Sequence, residues 1–263
     1  MIGTLVSSET ATIESLRETE LQEARDIQRA MLASEKLQTP EITIESEFQP
    51  VTEVGGDFLD YFLLSDGTAG LYLGDVTGKG LPAALFAALA VGTLRGVHKT
   101  GTSPSGVLTL LNKRMMLKST TRYAAVQYAH LDPQTGLLRV ASAGMHGPFH
   151  ITQSGCQSLE VCGIPPGLFP STEYEMKEVR LTPGDSVIFL SDGLLDAMDR
   201  SGEILGIERV MEFLATAWKK QPAEILGALF AYVESFAEGQ AQQDDRTAAV
   251  MLYHPSSSKE TRS

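Results

Sequence analysis

Residues 55–76 read GGDFLDYFLLSDGTAGLYLGDV. Apolar runs at Phe58 to Leu64 and Ala69 to Leu73 flank Ser65, Asp66 and Gly67, a turn-forming set that closes a β-hairpin. With the loop centred on Asp66, Asp57 faces Asp75, because each lies nine residues from that centre. Directly opposed Cβ atoms lie ~4.5–5.5 Å apart, and like charges there destabilise the pair. No Lys or Arg in either strand neutralises them, and Gly55, Gly56, Gly74, Gly78 and Gly80 leave the backbone open to a ligand. A cation belongs between the carboxylates. Hard divalent ions prefer carboxylate and carbonyl oxygens, so the stretch predicts a magnesium or manganese site at the open end of a strand pair.

Outward from this hairpin, the same punctuation recurs. Tyr123 to Leu131 and Leu137 to Ala143 flank Asp132 to Gly136, and Pro148 to Thr152 and Cys156 to Val161 flank Gln153, Ser154 and Gly155. Met176 to Leu181 and Val187 to Leu190 flank Thr182 to Asp185, which predicts a further hairpin, while Ile42 opens another strand. Helical periodicity comes in pairs, at Pro82 to His98 with Ser105 to Lys118 and at Ile207 to Lys219 with Pro222 to Glu238. Clustered strands and paired helices predict an α+β fold of antiparallel sheet covered by helices, not a doubly wound parallel sheet. The unbroken apolar run Val187 to Leu190 implies strands buried on both faces, hence two stacked sheets with helices outside.

Ahead of the strands, Thr10 to Leu37 has no Pro or Gly, and Leu21, Ala24, Ile27 and Met31 recur at helical spacing. This predicts one long amphipathic helix whose narrow stripe docks on the same chain or pairs with a second copy. The chain divides into an N-terminal helical linker at 1–37, a main domain at 38–254 and a Ser-rich tail at 255–263 expected to be disordered.

Composition narrows the function. Lys and Arg total 21 against 33 Asp and Glu, a net charge of -12 that repels phosphate backbones and anionic lipid, so no nucleic-acid partner is expected. Cys156 and Cys162 have no ligand cluster around them and read as reduced thiols. Leu81 to Leu94, the most apolar run, is shorter than the ~20 residues of a membrane span, and Met1 to Thr10 lacks a basic n-region. The expectation is a cytoplasmic chain without a membrane span.

Asp192 in Ser191-Asp192-Gly193 and Asp244 in Gln243-Asp244-Asp245 also stand at abrupt strand ends. If the fold brings them to Asp57 and Asp75, they complete a site for two ions about 3.5–4 Å apart, able to polarise a phosphoryl group. Gly74 to Gly80 is not a phosphate loop, since three residues rather than four separate its first Gly from Gly78-Lys79 and Gly80 replaces the Ser or Thr. Gly55-Gly56-Asp57-Phe58 suggests a diguanylate-cyclase hairpin, the alternative enzyme, but Phe58 stands where a second acid is needed. His98, His130, His146, His150 and His254 show no metal-ligand spacing; His146 reads as a surface-loop residue. No Gly-x-Ser-x-Gly elbow surrounds Ser191.

At these residues the chain resembles the stage II sporulation E and sigma-B regulator phosphatases, the bacterial branch of the PPM (protein phosphatase 2C-like) serine/threonine phosphatases. The resemblance rests on Gln28 to Leu32, Val54 to Phe58, Gly74 to Ala84, Leu131-Asp132-Pro133, Pro165 to Phe169, Pro183-Gly184-Asp185, Ser191 to Leu194 and Asp244 to Thr247, in order. It implies a four-layer αββα sandwich preceded by the long helix, with the phosphatase domain at 38–254. It also implies manganese or magnesium, two ions in all: Asp75, Asp192 and Asp244 on one, with Asp75 bridging to a second that takes the Val76 carbonyl and Asp57, directly or through water. Hydrolysis of phosphoserine or phosphothreonine by activated water follows, on a STAS-type anti-sigma-factor antagonist in a partner-switching pathway. An upstream sensor or receiver module and a homodimer through the leading helix are further implied partners. Thr77 stands where eukaryotic relatives carry a histidine, and Ala143 to Pro148 departs from the branch's Ala-Gly-His-Asn-Pro. A non-catalytic binding module of the same fold is the remaining alternative; retention of all four aspartates opposes it.

Overall fold

From Ile2 to Met31 there is no proline and a single glycine, Gly3, and the computed structural model, which describes residues 2–33, 35–98, 102–117 and 122–255, folds Ile2–Met31 into helix α1. The helix begins before Thr10 and ends well short of Leu37. Its end is set by long-range bonds: Arg95 Nη2 donates to the Met31 carbonyl at 2.8 Å, and Ala33 N to the Leu59 carbonyl at 3.1 Å. The tail from 256 onward lies outside the described residues.

Then follow β1 (Leu37–Gln38), β2 (Ile42–Gln49), β3 (Phe58–Leu63), β4 (Ala69–Val76), α2 (Leu81–Val97) and α3 (Pro104–Met115). Strands β5 (Ala124–Leu131), β6 (Leu137–Ala143), β7 (Phe149–Thr152), β8 (Gly155–Ser158), β9 (Lys177–Arg180) and β10 (Ser186–Leu190) come next. The short α4 (Asp192–Leu195), α5 (Gly206–Leu214), α6 (Pro222–Ala237) and β11 (Arg246–Tyr253) complete the order. Local chemistry sets the helix starts: the Ser103 hydroxyl accepts Gly106 N at 3.3 Å ahead of α3, and Gln221 with Glu224 closes a capping box on α6.

The strands form two antiparallel sheets, a six-stranded one in the order β1-β2-β11-β10-β7-β8 and a five-stranded one in the order β3-β4-β5-β6-β9. Alternation in β3 and β4 feeds both faces. Leu59, Leu71 and Leu73 meet Ile44, Phe189 and Met251 between the sheets, whereas Phe58 and Tyr72 turn outward under α2 and α3. On the other outer face, Ile188, Leu190 and Val250 pack against α5 and α6. The result is the αββα sandwich. Each fully buried Leu, Ile or Phe side chain contributes roughly 1.5–3 kcal/mol, so all three apolar layers stabilise the domain.

One hairpin expectation fails. Strands β9 and β10 do not pair: β9 joins β6 in the five-stranded sheet, while β10 lies between β7 and β11 in the other. Thr182 to Asp185 still turns, with Thr182 N and Oγ1 donating to Asp185 Oδ2 at 2.9 Å each, but it carries the chain from one sheet to the other. Among the described residues no helix is long and apolar enough to cross a membrane.

Candidate metal centre

The β3–β4 register pairs Phe58 with Gly74, and beyond it Val76 N donates to the Gly56 carbonyl at 3.3 Å. The ladder therefore continues past β3 and sets Asp57 opposite Asp75, as the hairpin spacing predicts. Asp57 is 2% exposed and takes the Thr247 hydroxyl on Oδ2. Burial, and next the charge of Asp75, hold its carboxyl well above the usual range. The Asp75 carboxyl, hydrogen-bonded to Asp57, is pushed up to about 7, first by burial and then by the charges of Asp192 and Asp244.

Those last two arrive from the other sheet. Ser191 N donates to the Thr247 carbonyl and Thr247 N to Ser191 Oγ, both at 2.9 Å, which stitches the end of β10 to the start of β11. A Cβ on Gly193 would lie 2.0 Å from the Asp245 carbonyl, so only glycine lets α4 start this close to β11. Asp192 is raised by burial, then by Asp244 and Asp196. Asp244 stands at the rim, half exposed, with Lys79 Nζ 3.3 Å from its Oδ2. The Ser191 hydroxyl is consumed by the Asp245 carbonyl and Thr247 N, and Phe58 lies in the core, so neither a serine nucleophile nor a cyclase acid stands here.

The residues fit a divalent ion. A Cβ on Gly56 would lie 2.6 Å from both Asp75 Oδ1 and the Val76 carbonyl oxygen, so these two oxygens converge on a cradle that glycine keeps open. All the donors are oxygens, and burial first and neighbouring carboxylates next raise Asp57, Asp75 and Asp192, a penalty on the charged forms that a cation relieves. Among the described residues, no three Asp, Glu, His or Cys side chains are drawn into a closed ligand set. The carboxylates ring a cleft. On one side of it is a cavity of about 220 Å³ reaching Lys79, Asp192, Asp244 and Arg246; on the other, one of about 490 Å³ reaching Asp75, Asp192 and His146.

Sequence reasoning passes over two residues. Asp245, not only its neighbour Asp244, matters: it is 3% exposed, its Oδ1 accepts Val51 N at 2.8 Å, and a Cβ on Gly55 would sit 1.7 Å from its Oδ2. It holds the segment that carries Asp57. The Asp-Asp pair was the available signal. Gln28 of α1, 6% exposed, donates Nε2 to the Gly55 carbonyl at 2.8 Å and accepts Gly55 N on Oε1 at 3.0 Å. His146 is an exposed loop residue but faces the larger cavity.

These shifts predict a pH dependence without metal. A carboxyl whose folded pKa is raised stabilises the fold below its unfolded pKa, and that stability is lost as pH rises through the folded value. For Asp75 the window runs from about pH 4 to about 7. Thermal unfolding in EDTA should show Tm falling across it, and manganese should cancel the fall. A flat metal-free profile would mean that neither burial nor the neighbouring carboxylates raise Asp75.

The family model described as "Stage II sporulation protein E (SpoIIE)" matches residues 65–254. Protein IcfG of Synechocystis sp. is 27% identical over 279 residues, covering 94% of this chain and 43% of that protein. Phosphoserine phosphatase RsbU of Bacillus subtilis is 25% identical, covering 70% of this chain and 55% of its own length. The chain thus spans about half the length of these relatives. The SiaA-PP2C domain of Pseudomonas aeruginosa superposes with a TM-score of 0.82 at 24% identity, covering 92% of this chain and 99% of that one. Together with the two-sheet topology and the carboxylate cleft between them, the match over most of the sandwich shows that the chain belongs to the SpoIIE family of PP2C-type phosphatase domains.

Proposed function

We propose that the chain is a metal-dependent serine/threonine protein phosphatase, hydrolysing phosphoserine or phosphothreonine on a regulatory protein. The observation that carries this is the convergence of Asp75 Oδ1 and the Val76 carbonyl over Gly56, with Asp57 opposite and Asp192 and Asp244 close enough to raise Asp75. Asp75, Asp192 and Asp244 would hold one manganese or magnesium ion, and Asp75, the Val76 carbonyl and Asp57 a second. Such ions supply Lewis acidity toward the phosphoryl oxygens and a water acidic enough to attack at neutral pH. The chain's own residues orient the rest. Thr247 fixes Asp57, and Asp245 and Gln28 fix the segment that carries it. Attack by water forms a P–O bond as the ester P–O bond breaks, and the proton that the water gives up is balanced by the one that the departing serine or threonine oxygen takes up. Thr77 is no acid for this step, because its hydroxyl donates to the Tyr123 carbonyl at 3.2 Å and accepts Tyr123 N at 3.3 Å.

Phosphate release from an aryl phosphate and from a phosphoserine peptide tests the proposal. Both should need added manganese or magnesium and stop on chelation, since water-rich carboxylate sites hold these ions weakly. Metal-independent turnover would refute it.

Asp192→Ala and Asp244→Ala should each lose most activity and metal affinity while staying folded by circular dichroism. Strand-end carboxylates at an open cleft add little to packing. A variant that unfolds would instead mark a capping role.

RsbU is named a phosphoserine phosphatase, which favours phosphoserine as the group hydrolysed; the resemblance to the sigma-B regulator phosphatases adds a STAS-type antagonist in a partner-switching pathway as its carrier. The free thiols Cys156 and Cys162 suit the cytoplasm. Leu16 and Ile27, 60% and 65% exposed and about three turns apart on α1, suit a homodimer through that helix, or docking of an upstream sensor or receiver module. Sedimentation at several concentrations tests the dimer. A monomer throughout would leave α1 to the docked role.

A further inference from the structure

The larger cavity beside the carboxylates is built unlike the smaller one. Its floor is apolar, with Phe149, Leu190 and Leu195 at 1%, 3% and 5% exposure. Asp75, Asp192 and Asp196 line it together with that floor, and among the described residues no Lys or Arg does; Lys79 and Arg246 both lie at the other cavity. Its volume of about 490 Å³ falls within the roughly 300–1,000 Å³ of ligand sites. Its mouth is preformed, because the Met145 carbonyl accepts the Ser142 hydroxyl at 3.1 Å and the next carbonyl, of His146, accepts Gln127 Nε2. Gln127, 2% exposed, lines the cavity, and its Oε1 has no hydrogen-bond partner among the described residues. A buried acceptor left without a donor is unfavourable, and a ligand N–H would relieve it.

We propose that this cavity is a subsite for the substrate polypeptide: it takes an uncharged, apolar side chain next to the phosphorylated residue, while Gln127 Oε1 accepts a main-chain N–H of the same segment. The proposal rests on the phosphatase reading and adds a preference to it. The apolar floor rewards a leucine-sized side chain and, with no Lys or Arg among the described lining residues, leaves an acidic one desolvated and unpaired.

Cys162 provides a readout independent of turnover, since it is exposed and lines this cavity. Cys156 is half-buried, its thiol pushed up to about 12 by burial, so it alkylates slowly at neutral pH. The manganese-loaded chain is treated with iodoacetamide in the presence of phosphonate peptides that mimic phosphoserine and differ only in the flanking residue, Leu, Gly or Asp. The Leu peptide should slow alkylation of Cys162, followed by mass spectrometry, at least fivefold at a concentration where the Gly and Asp peptides do not. N-methylation of the flanking amide should remove that protection. The matching phosphopeptides should rank Leu above Gly above Asp in kcat/KM, with the difference mainly in KM. Cys162→Phe, which narrows the mouth, should bring the Leu substrate down to the Gly level. Equal protection by all three peptides, or none, while the aryl phosphate is still hydrolysed, would overturn the subsite and leave the phosphatase reading standing. Failure to hydrolyse the aryl phosphate would overturn both.

Discussion

Asp75→Asn is expected to lower metal-dependent phosphate release by roughly three orders of magnitude, the equivalent of several kcal/mol of lost charge stabilisation. The same change should raise the metal-free Tm. The two effects run in opposite directions for one reason: Asp75 is the carboxylate on which the others converge. It lies opposite Asp57 in the ladder, and its own carboxyl is raised by Asp192 and Asp244 as well as by burial. Removing that charge relieves Asp57 of its main charged neighbour and, on the proposed assignment, takes away the ligand that both ions would share. A purely structural aspartate would behave otherwise, since its loss would cost stability with and without metal. Manganese titration of turnover alongside unfolding in EDTA separates the cases. Near-normal turnover at saturating manganese would remove Asp75 from the centre altogether.

The opposition of Asp57 and Asp75 was legible because a hairpin is a local object. Once the loop is centred on Asp66, pairing is counting, and the ladder obeys it out to Gly56 and Val76. The paired helices and doubly apolar strands were legible for the same reason, through short-range periodicity. Thr182 to Asp185 shows the limit. Its turn chemistry is real, down to the Asp185 carboxylate that closes it, but a turn does not say which sheet receives the next strand. That is decided by β6 and β11, far away in sequence. The end of α1 was illegible likewise, because Arg95 and Leu59 supply the bonds that stop it. At Asp244-Asp245 composition offers two identical carboxylates, and only the path of β11 sends one to the rim and the other beneath Gly55.

Gln28 is the most consequential residue outside the carboxylates, and Gln28→Leu is expected to cost about 2–5 kcal/mol of stability and to weaken manganese binding. The apolar stripe of α1 suggests that Ile27 should meet the domain, yet Ile27 is 65% exposed and the polar Gln28 is buried. The reason lies in what the helix covers. Gly55 presents a main-chain N–H and a carbonyl that no strand satisfies, and one carboxamide closes both. Leucine would fill similar space while leaving two buried polar groups unpaired, each costing about 1–3 kcal/mol. Gly55 precedes the cradle glycine and is two residues from Asp57, so a relaxed segment misplaces that ligand. On this reading the pair of hydrogen bonds between Gln28 and Gly55 would couple the helix to the centre. Whatever holds the exposed turns of α1, a second copy or an upstream module, would then bias the Asp57 segment between ordered and relaxed positions. The measurement is urea unfolding with and without metal, alongside manganese affinity, for Gln28→Leu and Gln28→Glu. Glutamate keeps the acceptor for Gly55 N but sets an oxygen against the Gly55 carbonyl and buries a negative charge near Asp57 and Asp245, so at neutral pH it should cost at least as much stability as leucine. If leucine lowers stability but leaves manganese affinity intact, α1 is a strut and not a transmitter.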